Sequence, residues 1–226
     1  MESKSVVISL CDESGVMVRP WSEAGFTCYC VDTAHSIRRD RVEGNIHYVW
    51  GDVRSWTPPP GVVPRILFGF SPCTDLTGAG ARDWPKKSWP LLRDGVDLFM
   101  AQWYAAKWAR CPFMLENPRG RLPTYIGHAD QHFDPCNYGG YLDPPGDAYT
   151  KDTRLWTGNG FEMPEPRPVE PVEGSKMHKM PPGPDRQKLR SQTPAGFARA
   201  VFEANRQANT LPTPPPTTLS HHPSTP

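Results

Sequence analysis

Hydrophobic residues in the first half of the chain form short runs, and each run ends in polar or turn-forming residues. Short apolar runs bounded by turn signals are typical of buried β-strands. Because helical or loop segments separate these runs, the pattern predicts an α/β fold with a doubly wound, mainly parallel sheet. The predicted strands are residues 6–11, 26–31, 47–50, 65–70 and 112–115.

The strongest helical pattern lies in the middle of the chain. Apolar residues recur at spacings near three and four across residues 89–109, which predicts a helix with one apolar face. We expect the tryptophans of this helix to lie in the core. The shorter predicted elements are helices at residues 20–24 and 194–208, the second with Thr193 as its N-cap, and a strand at residues 153–156.

The length of 226 residues fits one domain followed by a tail. We predict a single domain at residues 1–208. Within it, residues 157–190 form a proline-rich and basic insert. Residues 209–226 are mostly Pro, Thr, Ser and His, a composition that predicts disorder.

Charge and cysteine content indicate how the protein could bind nucleic acid and in which compartment it works. The formal net charge is +1, so nucleic acid would be bound by a local basic patch, for which residues 176–190 are the candidate. The six cysteines show no regular pairing, which favours free thiols in a reducing compartment. No apolar stretch suits a signal peptide or a membrane span, so we expect a cytoplasmic protein without a membrane partner.

Polar side chains follow several of the predicted strands. Asp32, Asp52 and Glu116 stand at strand ends, and Cys73 follows the strand at residues 65–70. Because parallel strands end at one edge of a sheet, these residues would form a crevice there. Asp32 could accept hydrogen bonds from a ribose diol, and Asp52 from the exocyclic amine of a purine. Taken singly, each of the two aspartates is more typical of a turn than of a binding site, and a lone cysteine is typical of a core.

Two motifs in these loops resemble the cytosine-5 DNA methyltransferase family. Phe70-Ser71-Pro72-Cys73, followed by a Gly-rich loop, resembles the family's nucleophile loop, and Glu116-Asn117-Pro118 resembles its motif for contacting the target base. The weaker similarities are Val31-Asp32, Gly51-Asp52-Val53, the arginine-bearing residues 151–156, and the C-terminal helix at residues 193–205.

The resemblance implies a class I methyltransferase-like, Rossmann-like fold and a role for each matching residue. Cys73 would be the nucleophile, with Glu116 and Arg154 as the other catalytic residues. Ser71, Pro72, Asn117 and Pro118 would contact the cytosine of a DNA substrate. S-adenosylmethionine (SAM) would be the cofactor, and the residues implied to bind it are Cys11, Asp12, Gly15, Asp32, Asp52 and Val53.

The chemistry of cytosine explains why such residues are paired. Addition of a thiolate to C6 makes C5 nucleophilic, which is covalent catalysis. Negative charge then spreads towards N3, where Glu116 can supply a proton if its pKa is raised. Arg154 can lower the pKa of the thiol or bind the carbonyl group of the base. In duplex DNA the base must first be flipped out of the stack.

Departures from the family pattern keep other functions open. The stretch Ser9–Gly15 has one glycine and no aromatic residue where the family has a Gly-rich aromatic turn, so a methylene-tetrahydrofolate donor is an alternative to SAM. The insert at residues 157–190 is too short for a large recognition domain. We therefore expect either a DNA target sequence that is short or loosely specified, or a different substrate, namely RNA or a free nucleotide. A nucleic-acid-binding protein that has lost its cofactor is the alternative of another class.

Two further expectations concern origin and metals. The chain is similar in its compactness to methyltransferase-like proteins of bacteriophages, which suggests modification of phage DNA in the host cytoplasm. His128, His132 and Cys136 have ligand-like spacing, but no fourth ligand follows them. We therefore predict no metal site.

Overall fold

The computed structural model describes residues 5–72, 76, 86, 88–176, 183 and 186–207, and for residues 186–188 it describes the backbone alone. Cys73, the predicted nucleophile, and the predicted tail at residues 209–226 lie outside these residues. Lys179 of the predicted basic patch also lies outside them. The described chain forms a single α/β domain around one mixed sheet.

The sheet has eight strands in the described chain, and most of its pairings are parallel. The parallel strands lie in the order β4-β2-β1-β5-β6, and the short strand β3 pairs antiparallel with β4. At the other edge β8 is antiparallel to both β6 and β7. The strands are β1 (Val6–Leu10), β2 (Thr27–Asp32), β3 (Arg41–Glu43), β4 (Ile46–Trp50), β5 (Pro64–Phe70), β6 (Phe113–Pro118), β7 (Gln131–Phe133) and β8 (Thr153–Gly158).

This order is compatible with a Rossmann-like fold. Numbered among themselves, the parallel strands run 3-2-1-4-5, which is the order of doubly wound sheets. The direction of winding reverses between β1 and β5. In such sheets ligands bind at that reversal, outside the carboxyl ends of the strands. The predicted α/β fold with a mainly parallel sheet is confirmed.

Helices cover both faces of the sheet and create two apolar cores. On one face Trp21 and Phe197 pack with Phe68, and on the other face Phe99 packs with Leu115. Burial of each such side chain contributes roughly 1.5–3 kcal/mol. The helices are α1 (Arg19–Glu23), α2 (Trp89–Ala109), α3 (Leu122–Ile126), α4 (Arg186–Ser191) and α5 (Ala195–Asn205), with a 3-10 helix at Pro135–Tyr141.

Two predictions about the helices are wrong in detail. Trp108 on α2 is 63% exposed, and the residues that α2 buries are Gly95, Phe99, Gln102 and Ala106. Thr193 is not the N-cap of α5, because the helix begins at Ala195 and Pro194 occupies the cap position. A side chain from elsewhere does part of the capping: the backbone N–H of Gly196 donates to Asp147 Oδ2 at 2.7 Å.

Two strands were not expected from the sequence. Strand β3 is exposed throughout, including its one apolar residue, Val42, and in β7 only Phe133 is buried. Alternation of polar and apolar residues over three positions is too short to indicate a strand. Both strands form at the edges of the sheet, where pairing with one neighbour is enough.

No helix in the described part of the chain combines the length and the apolar character needed to cross a bilayer.

Candidate active site at the carboxyl edge of the sheet

The predicted site residues that the structure describes lie along one edge of the sheet. Strands β1, β2, β4, β5 and β6 are parallel and end at this edge, and the antiparallel strand β8 begins there. The edge therefore brings the turn after β1, the ends of β2, β4 and β5, the Glu116 motif on β6 and the start of β8 to one side of the molecule. The reversal between β1 and β5 lies at its centre.

Glu116 lies in a pocket with aromatic walls on the α5 face of the sheet. It is in register with Phe70 of β5 and Leu155 of β8. Its Oε1 atom is buried and has no hydrogen-bond partner among the described residues. Burial raises the pKa of Glu116, an effect that the positive charge of Lys151 partly offsets. The residues that line the pocket are Phe70, Glu116, Phe133, Lys151, Thr153, Ser191, Thr193, Pro194 and Phe197.

The raised pKa gives the carboxyl group of Glu116 the character that the predicted chemistry needs. A carboxyl in apolar surroundings favours the neutral form, because burial penalises the charge. In that form it can donate a hydrogen bond or a proton to a ring nitrogen. Lys151 places a positive charge near this carboxyl group. In the described structure the two side chains do not form a direct ion pair.

The pocket is almost closed. It holds about 10 Å³ of free volume, which is room for about one water molecule. A pyrimidine ring therefore enters only if the walls move apart. The lining residues outside the strands are Lys151, which precedes β8, Ser191 at the end of α4, Thr193 and Pro194 before α5, and Phe197 on α5.

The structure places Arg154 away from Glu116. Arg154 lies opposite Asn117 in the β6–β8 ladder, whereas Glu116 lies opposite Leu155. Neighbouring residues along a strand point to opposite faces of the sheet, so Arg154 and Glu116 are on different faces. The guanidinium of Arg154 pairs with Asp152, with Nε 2.8 Å from Oδ1 and Nη2 donating to Oδ2 at 2.9 Å.

Lys151 is the cation that lines the pocket in its place. Its backbone N–H donates to Asp134 Oδ1 at 2.6 Å, which fixes the chain just before β8 begins. The period-2 alternation of β8, continued back from Thr153 to Lys151, puts both on the side of Glu116. The two-residue spacing of Lys151 and Thr153 can be read from the sequence. It identifies Lys151 as a neighbour of Glu116 only once the register of β8 against β6 is known.

Ser71 is held at the end of β5 by two buried amide side chains. Gln102 Nε2 donates to Ser71 Oγ at 2.9 Å, and Asn117 Nδ2 donates to the Ser71 carbonyl at 3.1 Å. Pro72, the next residue, is exposed. Pro118 ends β6 opposite Thr153 of β8.

On the cofactor side, Asp12 is engaged within its own turn. Its Oδ1 accepts from the backbone N–H groups of Ser14 and Gly15 at 3.0 and 2.7 Å, and its Oδ2 accepts from Ser9 Oγ at 2.7 Å. Gly15 has φ +68°, and a Cβ added there would lie 2.5 Å from Tyr48 Oη. The glycine therefore serves the packing of Tyr48 as well as the turn.

Other predicted cofactor residues are likewise engaged inside the protein. Arg54 Nη2 lies 2.6 Å from Asp52 Oδ2, and hydrogen bonding by Arg54 lowers the pKa of Asp52. Val53 is buried in the core on the α2 side. Burial, followed by the charges of Asp32 and Asp52, raises the pKa of the Cys11 thiol to about 12, so the thiol is neutral.

Among the acids of this side, Asp32 is the one whose carboxyl still has an oxygen available to a ligand in the described structure. It is the last residue of β2 and is half-buried, and burial raises its pKa. Its carboxyl accepts a hydrogen bond from the backbone N–H of Ala34 at 2.8 Å, and in the described structure no other side-chain bond engages it. An acid after the second strand is where nucleotide-binding folds hold a ribose diol. Asp32 therefore fits the ribose of SAM, whereas Asp12 and Asp52 are committed elsewhere.

Comparison with known proteins adds no family to this picture. No family model matches the chain, and no curated protein matches it significantly. The resemblance to cytosine-5 DNA methyltransferases therefore rests on the sequence motifs alone.

Two residues of the site were missed by the sequence interpretation. Lys151 was included only as part of a motif centred on Arg154, and Gln102 was not considered. Gln102 is a polar residue within the apolar pattern of α2, and such an interruption is the signal that points to it.

Proposed function

We propose that the protein transfers a one-carbon group to C5 of cytosine in DNA through a covalent adduct between Cys73 and C6. The observation that carries this proposal is the Glu116 pocket. A carboxyl group with a raised pKa stands among aromatic side chains, at the edge where doubly wound sheets bind ligands, and one of its buried oxygens has no partner among the described residues. Such a group suits recognition of a ring nitrogen in a flat heterocycle.

The chain's own residues supply most of the reaction. The Cys73 thiolate adds to C6 of the flipped cytosine. The electron pair of the C5–C6 double bond moves to C5, and its negative charge is shared with N3. Glu116 holds a proton at N3, and Lys151 offsets the negative charge that develops. SAM, when bound, would supply an electrophilic methyl group to C5, with its sulfonium leaving as a neutral thioether. Loss of the C5 proton and release of Cys73 then restore the double bond.

Asp32 favours SAM over a folate as the donor. Its carboxyl retains an oxygen for a ribose diol, which SAM contains and a folate lacks. The acidic residues near Cys11 also suit a cationic sulfonium compound. A methylene-tetrahydrofolate donor, which would lead to hydroxymethylation, remains the second arm of the donor test.

Exchange of the C5 hydrogen tests the cysteine chemistry without knowledge of the donor. Addition of a thiolate at C6 lets C5 take a proton from water and then lose its original hydrogen, so DNA carrying tritium at cytosine C5 should release it. We expect release by the wild type and none by Cys73→Ser. Cys111→Ala is the matched control, because Cys111 precedes β6 at the opposite edge of the sheet and should leave release unchanged.

The same assay separates the alternatives. Release from RNA or from free cytidine nucleotides, without release from DNA, would change the substrate and keep the chemistry. A Cys73→Ser variant with full activity would exclude the mechanism. DNA binding with no tritium release and no covalent adduct on 5-fluorocytosine DNA would instead indicate a binding protein. Mass spectrometry of nucleosides after incubation with each donor identifies the product.

A further inference from the structure

Gln102 joins the two loops that flank the reversal of the sheet. It lies on α2 and is 0% exposed. Its Nε2 atom donates both to Ser71 Oγ at 2.9 Å and to Cys11 Sγ at 3.3 Å. Cys11 follows β1 and Ser71 follows β5, so a single amide nitrogen connects the cofactor side of the crevice with the start of the predicted nucleophile loop.

The environment of Gln102 is costly for a side chain that only fills space. Its Oε1 is buried without a hydrogen-bond partner among the described residues. An added Cβ at Gly69 would overlap this oxygen, so the glycine in β5 leaves room for the amide. A buried unpaired acceptor destabilises the folded state, and an apolar side chain of the same length would avoid that cost. Packing alone therefore does not account for glutamine at this position.

A second buried amide converges on the same serine. Asn117 is 0% exposed, and its Nδ2 donates to the Ser71 carbonyl at 3.1 Å. Its Oδ1 is also buried without a partner among the described residues. Ser71 is thus fixed through its hydroxyl from α2 and through its backbone from β6, two residues before Cys73 in the sequence.

We propose that Gln102 is a positioning residue for the reaction: it fixes Ser71, and with it the start of the Cys73 loop, against the turn after β1. This inference rests on the proposed function. Gln102 has no contact with the Glu116 pocket, so it acts through Ser71 and not on the substrate. Its loss should therefore reduce the rate of the chemical step and leave DNA binding unchanged.

The test is a double-mutant cycle read by tritium release. Gln102→Met keeps the length of the side chain and removes the amide nitrogen that donates to Ser71 and Cys11. At saturating DNA we expect a rate loss of about 10- to 100-fold, the scale of a misplaced reacting group, with the half-saturating DNA concentration unchanged. Ser71→Ala should cause a similar loss, and the double variant should be no slower than either single variant.

A matched control separates positioning from a general loss of stability. Asn205→Leu removes another fully buried amide, which bonds the Glu162 and Val201 carbonyls at 2.8 and 3.0 Å, away from the carboxyl edge. It should lower the melting temperature and leave the rate per folded molecule unchanged. Should Gln102→Met fail to fold, Ser71→Ala alone decides the matter, since a wild-type rate there overturns the inference.

The outcomes distinguish this inference from the function on which it rests. A wild-type protein that releases no tritium overturns both. A wild type that releases tritium, with Gln102→Met equally fast or with losses that multiply in the double variant, overturns the role of Gln102 and leaves the function standing.

Discussion

Glu116 is a titratable residue with aromatic neighbours, and its carboxyl has a buried oxygen that no described residue pairs with. Apolar surroundings favour the protonated form and so raise the pKa. A surface glutamate lacks these surroundings, so its carboxyl loses its proton at a lower pH than that of Glu116. The same burial on which the proposed catalysis depends therefore makes the folded state sensitive to pH.

The sign of this sensitivity follows from linkage. The folded protein holds the Glu116 proton to a higher pH than the unfolded chain, so between the two pKa values the folded state binds more protons. Stability is then greatest below the ordinary glutamate value of about 4.5 and falls as the pH rises through the raised pKa. Glu116→Gln removes the titrating group and keeps the shape of the side chain. We expect its melting temperature to exceed that of the wild type by a margin that grows from acidic to neutral pH.

Thermal melts at a series of pH values check this expectation. Glu170→Gln is the matched control, because Glu170 is exposed and its substitution should give no margin that grows with pH. A constant offset between Glu116→Gln and the wild type at all pH values would contradict the role assigned to burial. In the exchange assay Glu116→Gln should be slower by about 10²-fold or more, the usual contribution of a positioned acid or base.

At the scale of elements, the register between β6 and β8 decides which cation meets Glu116. A shift of one residue in an antiparallel ladder would exchange the faces of Lys151 and Arg154. In the observed register Arg154 is paired with Asp152 on the other face, and Lys151 lines the pocket. The two basic residues therefore have different expected effects on the chemistry.

Substitution of each by methionine tests the register. The charge of Lys151 lowers the pKa of Glu116, so Lys151→Met should raise that pKa further. If exchange requires protonated Glu116, the loss of rate at high pH should then begin at a higher pH than in the wild type. Arg154→Met should leave this part of the pH profile in place. A shift with Arg154→Met but not with Lys151→Met would contradict the assigned faces.

Elements differ in how far the sequence predicts them. The predicted strands at residues 6–11, 26–31, 47–50 and 65–70 correspond to β1, β2, β4 and β5, because buried parallel strands leave continuous apolar runs. The bounds of α2 also agree with the predicted residues 89–109, and Phe99 of the predicted apolar face is buried, but Trp108 is not. The periodicity of apolar residues favoured a core position for Trp108, whereas the buried face contains Gly95 and Gln102, which fit close to β5 and its flanking loop.

The candidate site was predictable to the same extent. Positions at strand ends, such as Asp32 and Glu116, follow from the strands themselves. Pairings between distant segments, such as Arg54 with Asp94 or Gln102 with Ser71, depend on three-dimensional packing that no local pattern encodes. Such pairings decide which of the predicted cofactor residues still have side-chain atoms available to bind a ligand.

At the scale of the whole molecule, the winding of the sheet divides the carboxyl edge between two tasks. Strands β1, β2 and β4 lie on one side of the reversal and carry the acids of the cofactor crevice, whereas β5, β6 and β8 lie on the other and carry the pocket. The Cys11–Gln102–Ser71 contacts cross the boundary. A donor bound on one side can therefore be presented to a base bound on the other.

Donor binding tests this division directly. A ligand that binds only the folded state stabilises it, by about 2.7 kcal/mol at one hundred times its Kd. We expect SAM to raise the melting temperature, because Asp32 retains a carboxyl oxygen for the ribose diol. Asp32→Ala should lose most of this increase, and Asp52→Ala should retain it, since the Asp52 carboxylate is held by Arg54. Each variant is compared with its own ligand-free melting temperature, so a general loss of stability does not enter. An increase with methylene-tetrahydrofolate and none with SAM would instead assign the crevice to a folate, and the product of the reaction would then be hydroxymethylcytosine.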